Sequence, residues 1–182
     1  MSATTLPAIA VGTYNIDVSH SEVGFVVRHL AVSKVKGRFH KFDGAITIAE
    51  NVLESSVSAT VEVASVSTND AQRDGHLLSG DFFEQEQYPN LVFQSTSVRP
   101  KGGDFELVGN LTIKNVTKEV VFDLEFGGAE QDPWGGTRLG FTAETEINRK
   151  DFGMEFNMVL DSGGLLVGEK VKIVLEIEAV KA

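Results

Sequence analysis

Phe105-Glu106-Leu107-Val108-Gly109-Asn110-Leu111-Thr112-Ile113 is the stretch that decides the fold. Phe105, Leu107, Gly109, Leu111 and Ile113 share one parity, while Glu106, Asn110 and Thr112 hold the other. Successive side chains of an extended strand point to opposite faces, so this run has one dry face and one wet face. Beyond the turn candidate Ile113-Lys114-Asn115-Val116 the period of two resumes in Val120, Phe122, Leu124 and Phe126, then in Leu139, Phe141 and Ala143. It ends in Val171, Ile173, Leu175 and Ile177. Upstream of the turn candidate Lys101-Gly102-Gly103-Asp104, the same alternation marks Leu91 and Phe93, and before them Val57, Ala59, Val61 and Val63. Phe42, Gly44, Ile46 and Ile48 carry it next, on the opposite parity to Phe39, a change that predicts a bulge. Val23, Phe25 and Val27 are the first to show it.

Eight half-wet segments joined by short turns predict antiparallel pairing, because parallel crossovers would need longer connections. Closing the sheet on itself removes its exposed edges, so the expected fold is all-β, a closed eight-stranded antiparallel barrel. One helical insertion interrupts it near residues 69–84, within the polar stretch 66–86, with Asn69 as the predicted N-cap and Gly80 as the stop. Ser19-His20-Ser21-Glu22 has the form of a capping box, but the β-branched alternation after it favours a strand.

A barrel of eight strands is either just filled by its own side chains or just able to hold one small ligand. Gly44, Ala59, Gly109 and Ala143 fall at inward positions of four strands, either leaving space or facing large Phe neighbours. Their recurrence predicts a cavity. Its expected wall includes Phe25, Val27, His29, Phe42, Ala59 and Phe93 from the first half, and Gly109, Leu111, Phe122, Leu124, Phe141 and Ala143 from the second. Ile173 and Leu175 complete it from the last strand. Between the last two strands an unusually apolar connection adds Met154, Phe156 and Met158, read as a plug completing the core or as a moving lid. His29 is either a ligand-head contact or a core histidine satisfied by the backbone. Arg73, Asp74 and His76 are expected to bond locally and pin the helical insertion, with a head-group role as the other option.

Composition bounds what remains. The 182 residues fit one domain, read as a flexible segment at 1–12 and a barrel over 13–182. A formal charge of −10 opposes binding to nucleic acid and to anionic lipid surfaces, and no run of apolar residues suits a membrane helix. No nucleic-acid partner and no stable membrane insertion are expected. The opening residues lack a secretory pattern, which predicts a cytoplasmic protein. Cysteine is absent, and His20, His29, His40 and His76 have no metal-ligand spacing, so no metal and no cofactor are expected. Asp70, Gln72, Asp74, Gly75 and Asp81 imitate a calcium loop, yet lack its last Glu and its flanking helices. Gly163-Gly164-Leu165-Leu166-Val167-Gly168-Glu169-Lys170 has Glu where a phosphate loop needs Lys, and reads as a turn. No nucleophile elbow or enclosed carboxylate pair stands out, so an enzyme is not the expected class. Trp134 reads as a ring packed across its turn or as a partner anchor.

The run Ser65 to Thr96, SVSTNDAQRDGHLLSGDFFEQEQYPNLVFQST, resembles the hallmark of the YceI-like family of polyisoprenoid-binding proteins. The resemblance continues in Gly109-Asn110-Leu111-Thr112-Ile113, Val116-Thr117-Lys118 and Asp132-Pro133-Trp134-Gly135-Gly136, and then in Arg138-Leu139-Gly140-Phe141. Phe25, His29, Gly37, Phe42 and Gly44 also suit the family's opening strands. It implies a lipocalin-like barrel with a polyprenyl chain threaded through its core, of the polyprenyl phosphate or isoprenoid quinone type. The expected function is therefore binding, storage or transport of a hydrophobic isoprenoid ligand. Two other readings stand beside it: an enzyme acting on such a lipid, with His29 as its acid or base, and a stress-related interaction protein whose filled barrel pairs as a homodimer.

Overall fold

The computed structural model describes residues 9–182, and they form one closed antiparallel barrel of eight staves. The strands are β1 (Gly12–Ile16), β2 (Glu22–His29), β3 (Ser33–Phe39), β4 (Phe42–Ile48), β5 (Ser56–Glu62) and β6 (Val66–Ser67). After the helix α1 (Ala71–Leu78) come β7 (Asn90–Lys101), β8 (Asp104–Ile113), β9 (Val116–Gln131), β10 (Thr137–Asn148) and β11 (Val167–Lys181). The first three staves are broken strands. β1 and β2 lie end to end along β11, with Tyr14 opposite Lys181 and Phe25 opposite Ile173. β3 and β4 form the next stave, and β5 and β6 the one after. β7 to β11 follow as unbroken staves, and the pairing of β11 with β1 and β2 closes the ring.

Each break has a local cause. Asp17 accepts from the Ser19 amide and starts a single 3-10 turn, Val18–His20, between β1 and β2. This turn occupies the position of the rejected capping box, and β2 follows it as a strand. The parity change after Phe39 is a gap between two strands, not a bulge within one. There the His40 amide donates to the Ser65 carbonyl and the Glu62 amide to the Lys41 carbonyl. Bulges do occur elsewhere, between Ser95 and Ser97 and at Gly140/Phe141. Of the segment expected to be flexible, residues 1–8 lie outside the described residues. Ile9 packs against the core, and Gly12 begins β1.

The buried side chains form two clusters, one at an end of the barrel and one that runs from Leu107, Phe122 and Ala143 in the middle of the wall. Tyr14, Ile46, Ile48, Leu139 and Ala179 close one end, and the Tyr14 hydroxyl donates to the Ala10 carbonyl at 2.7 Å. Toward the other end Leu111, Ile113, Val120, Ile147, Phe152 and Met154 pack together. Fully burying a side chain of this size contributes about 1.5–3 kcal/mol, so the two clusters stabilise the ring along most of its length.

Candidate functional site

Inside these clusters the barrel is not filled. Phe25, Val27, Phe93, Leu124, Phe141, Ile173 and Leu175 line the interior yet remain only half-buried. They border a cavity of about 630 Å³, a size typical of small-molecule sites, which run from about 300 to 1,000 Å³. The expected wall residues Phe25, Val27, His29, Phe42, Ala59, Phe93, Leu111, Phe122, Leu124, Phe141, Ala143, Met154, Phe156, Ile173 and Leu175 all border it. Residues not assigned to the wall from sequence join them, among them Ile9, Phe82, Phe83, Val98 and Phe105. Phe82 and Phe83 escaped notice because they follow the helix in a stretch without alternation.

Gly109 and Met158 take other places. A β-carbon on Gly109 would lie 2.5 Å from the Phe93 ring and 2.7 Å from the Gln94 carbonyl oxygen, so this glycine makes room for Phe93. Gly44 does the same for Ile16 and the Ser58 carbonyl. Of the four small residues, Ala59 and Ala143 border the cavity. Met158 points to solvent and is 57% exposed.

Apart from Val92, the exposed residues of the lining are Arg28, Asp70, Gln72, Arg73 and His76, which gather at the end that carries α1. The cavity opens there. The insertion is held over this end by its own polar contacts. Asp70, not Asn69, caps α1, its carboxylate accepting from the Gln72 and Arg73 amides at 3.1 and 3.0 Å. Asn69 has the left-handed φ of 64° that turns the chain into the cap. The Arg73 backbone N–H holds the Asp70 carboxyl below its usual range. Thr68 is buried, receives the Arg73 Nε–H at 2.8 Å and donates its hydroxyl to Asp74 at 2.6 Å. His76 meets Asp81 at 2.8 Å. Arg73, Asp74 and His76 thus bond within the insertion, and Arg73 and His76 also border the cavity. The His29 ring borders it too, with no hydrogen-bond partner among the described residues.

An aromatic cluster joins the insertion to the connection between β10 and β11. The His76 ring stands edge-on to Phe82 at 5.1 Å and to Phe156 at 4.8 Å, and Phe82 meets Phe156 at 5.5 Å. Beneath them lies Arg149, 2% exposed, which sits in the polar run Asn148-Arg149-Lys150-Asp151 and was not singled out from sequence. It donates to the carbonyls of Gly168, Met154 and Val167 and stacks over Phe82 at 5.9 Å. Burial pushes its guanidinium below the ordinary value, and these carbonyls replace the lost water. The connection is therefore part plug and part projection: Met154 and Phe156 enter the wall, while Val159 and Leu165 pair in a small exposed hairpin. The glycines at 163 and 164 form its turn, with the Leu160 amide donating to the Gly164 carbonyl. Trp134, at the opposite end of the barrel, is 85% exposed and does not pack across its turn.

Among solved structures, BcnA of Burkholderia cenocepacia superposes with a TM-score of 0.78 at 22% identity, covering 90% of this chain and 98% of that one. A polyisoprenoid-binding domain from Saccharophagus degradans, implicated in plant cell wall breakdown, has a TM-score of 0.72 at 15% identity, covering 95% and 100%. Both share the fold. The YceI protein of Campylobacter jejuni matches at 29% identity and a TM-score of 0.72, covering 100% and 99%. By sequence, the YceI protein of Salmonella newport is 39% identical over 181 residues, 98% of this chain and 91% of the relative. An Escherichia coli YceI protein is 40% identical over 171 residues, covering 92% and 86%. The YceI-like domain model matches residues 14–179, which here run from within β1 to within β11 and so take in nearly the whole barrel, and the chain belongs to the YceI-like family.

Proposed function

We propose that the barrel binds, stores or transports one long-chain isoprenoid lipid, of the polyprenyl phosphate or isoprenoid quinone type. The tail occupies the bore, and the head sits at the open end among Arg28, Arg73 and His76. The observation that carries this reading is the apolar cavity of about 630 Å³ that opens at a polar rim. Each apolar Å² of guest taken from water contributes about 25 cal/mol, which favours a long flexible hydrocarbon over a small polar metabolite. The polyisoprenoid-binding domain that shares the fold supports the same class of guest. With two guanidinium groups at the rim, an anionic head is favoured, since their forked N–H groups bind oxygen pairwise.

Native mass spectrometry after gentle extraction tests the reading, and recovery of a mass increment matching a prenyl lipid supports it. Ala143, buried in the wall, is the position at which to narrow the bore. Ala143→Leu displaces about two methylenes of the guest at ~0.8 kcal/mol each, so binding of a fluorescent prenyl probe is expected to weaken roughly tenfold. An empty protein that also takes up no prenyl probe overturns the proposal.

A further inference from the structure

The open end of the barrel carries an unusual surface. Val32, Met158 and Val159 are 83%, 57% and 71% exposed, and Leu30 and Leu165 project beside them. These five belong to two loops that touch, the Leu30 amide donating to the Leu166 carbonyl at 2.9 Å. Leu30 and Ala31 hold left-handed φ angles of 55° and 58° at the tip of the β2–β3 hairpin. Such a turn is made at least cost by Gly or Asn, and neither residue here gains burial from the strain. Exposed apolar side chains concentrated in this way mark a surface that meets a partner.

The charge around the tip identifies the partner. Residues 23–42 contain Arg28, Lys34, Lys36, Arg38 and Lys41 and no acidic residue, in a chain with 26 Asp and Glu against 16 Lys and Arg. Arg28 stands opposite Lys34, and Lys36 and Arg38 continue along the outer face. None of the five forms an ion pair among the described residues, whereas Lys170 and Lys172 on the adjacent β11 are paired with Glu146 and Glu144. The acidic groups on the neighbouring connection are Asp151, Glu155 and Asp161, and Asp70 stands at the rim of the cavity. An apolar tip backed by unpaired cations matches an anionic phospholipid surface, with the tip entering the acyl boundary and the cations facing the head groups. The net charge of −10 does not prevent this, because at physiological salt fields decay within about 8 Å and the contact is governed by the nearest charges.

We propose that the protein docks on anionic bilayers through the Leu30–Val32 tip and the Val159–Leu165 hairpin, which brings the open end of the cavity against the lipid. The docking stands on the surface itself; only its purpose, loading and unloading of the guest, rests on the function proposed above. Flotation of the full chain with vesicles of phosphatidylcholine alone, and of phosphatidylcholine mixed with phosphatidylglycerol, tests it. The wild type is expected to float with the anionic vesicles and to be released by added salt. Lys34→Gln with Lys36→Gln is expected to weaken that binding roughly 25-fold, about fivefold for each basic residue. Val32→Ser with Val159→Ser is expected to abolish it. Both variants are expected to take up the prenyl probe normally in vesicle-free solution. Flotation with normal salt release but no probe uptake in any protein would leave the docking intact and remove the lipid-carrier reading. Flotation unchanged by either double variant overturns the docking. So does a wild-type dimer in sedimentation velocity that Val32→Ser dissociates, with no vesicle binding by either form.

Discussion

At the scale of single residues, the interior is shaped by which small side chains are covered and which are not. Gly109 sits under the Phe93 ring, and Phe93 meets Phe122 edge-on at 5.5 Å, so the glycine sets the position of two rings in the wall. Gly109→Ala is expected to lower stability by about 1–3 kcal/mol, because the Gln94 carbonyl beside the new methyl belongs to backbone that cannot yield cheaply. Urea unfolding checks it, and an unchanged midpoint would mean that Phe93 swings away freely. Ala143 is buried too, but it borders the cavity, so volume added there has the bore beside it. Gly109 and Ala143 look alike in the sequence, at inward positions of their strands. What separates them lies on another strand, in the Phe93 ring and the Gln94 carbonyl that pack against Gly109.

At the scale of elements, α1 is held by its neighbours. A helix of eight residues is marginal alone, and its caps and side-chain contacts decide whether it forms. Thr68 is the hinge of these contacts, its one hydroxyl accepting from Arg73 and donating to Asp74. Hydrogen bonds to charged groups contribute about 1.5–3 kcal/mol each, so Thr68→Val is expected to cost about 2 kcal/mol. Hydrogen exchange is expected to show faster opening of residues 71–78 in that variant, with β7 to β11 unaffected. The sequence expected this helix near residues 69–84 with Asn69 as cap and Gly80 as stop, whereas it spans Ala71–Leu78, capped by Asp70 and ended at Ser79. Asn and Asp both cap well, and the choice between them was made by the left-handed backbone at Asn69, which no propensity reveals.

At the scale of the whole molecule, closure of the ring is secured by charge as well as by pairing. Where β1 gives way to β2 along β11, Arg138 reaches Asp17 and Asp132 at 2.9 Å and Glu178 at 3.1 Å. Asp17, His20 and Glu178 come close enough to hold a cation, but the Arg138 guanidinium already occupies the two carboxylates. The Ser19 hydroxyl, then Arg138 and His20, hold the Asp17 carboxyl far below its usual range. Backbone N–H from Gly136, then Arg138, lower that of Asp132. Both folded-state values lie below the unfolded ones. The stability they contribute is therefore present above the ordinary carboxylate value of about 4 and is lost as pH falls through the folded values. Arg138→Met is expected to be less stable than the wild type at neutral pH, and the difference in urea midpoint should shrink as pH drops below about 4. A difference that stays constant with pH would remove the seam from the account.

What the sequence determined by itself is the arrangement that depends on neighbours along the chain. Alternation in Phe105–Ile113 and its seven counterparts specified one strand in each of the eight staves and its two faces, because the period of two is a local property of extended backbone, but it did not reveal β1, β3 or β6. The motif around residues 65–96 specified the family. What the tertiary structure decided is whatever depends on distant residues. The breaks that make eleven strands into eight staves follow from pairing partners, and the roles of Gly44 and Gly109 follow from rings on other strands. Arg149 is buried only because the chain returns over it at 154 and 167–168. The exposed apolar tips, too, gain their meaning from being brought side by side at the open end. Periodicity reports which face is dry, and three-dimensional packing decides how much of that face is covered.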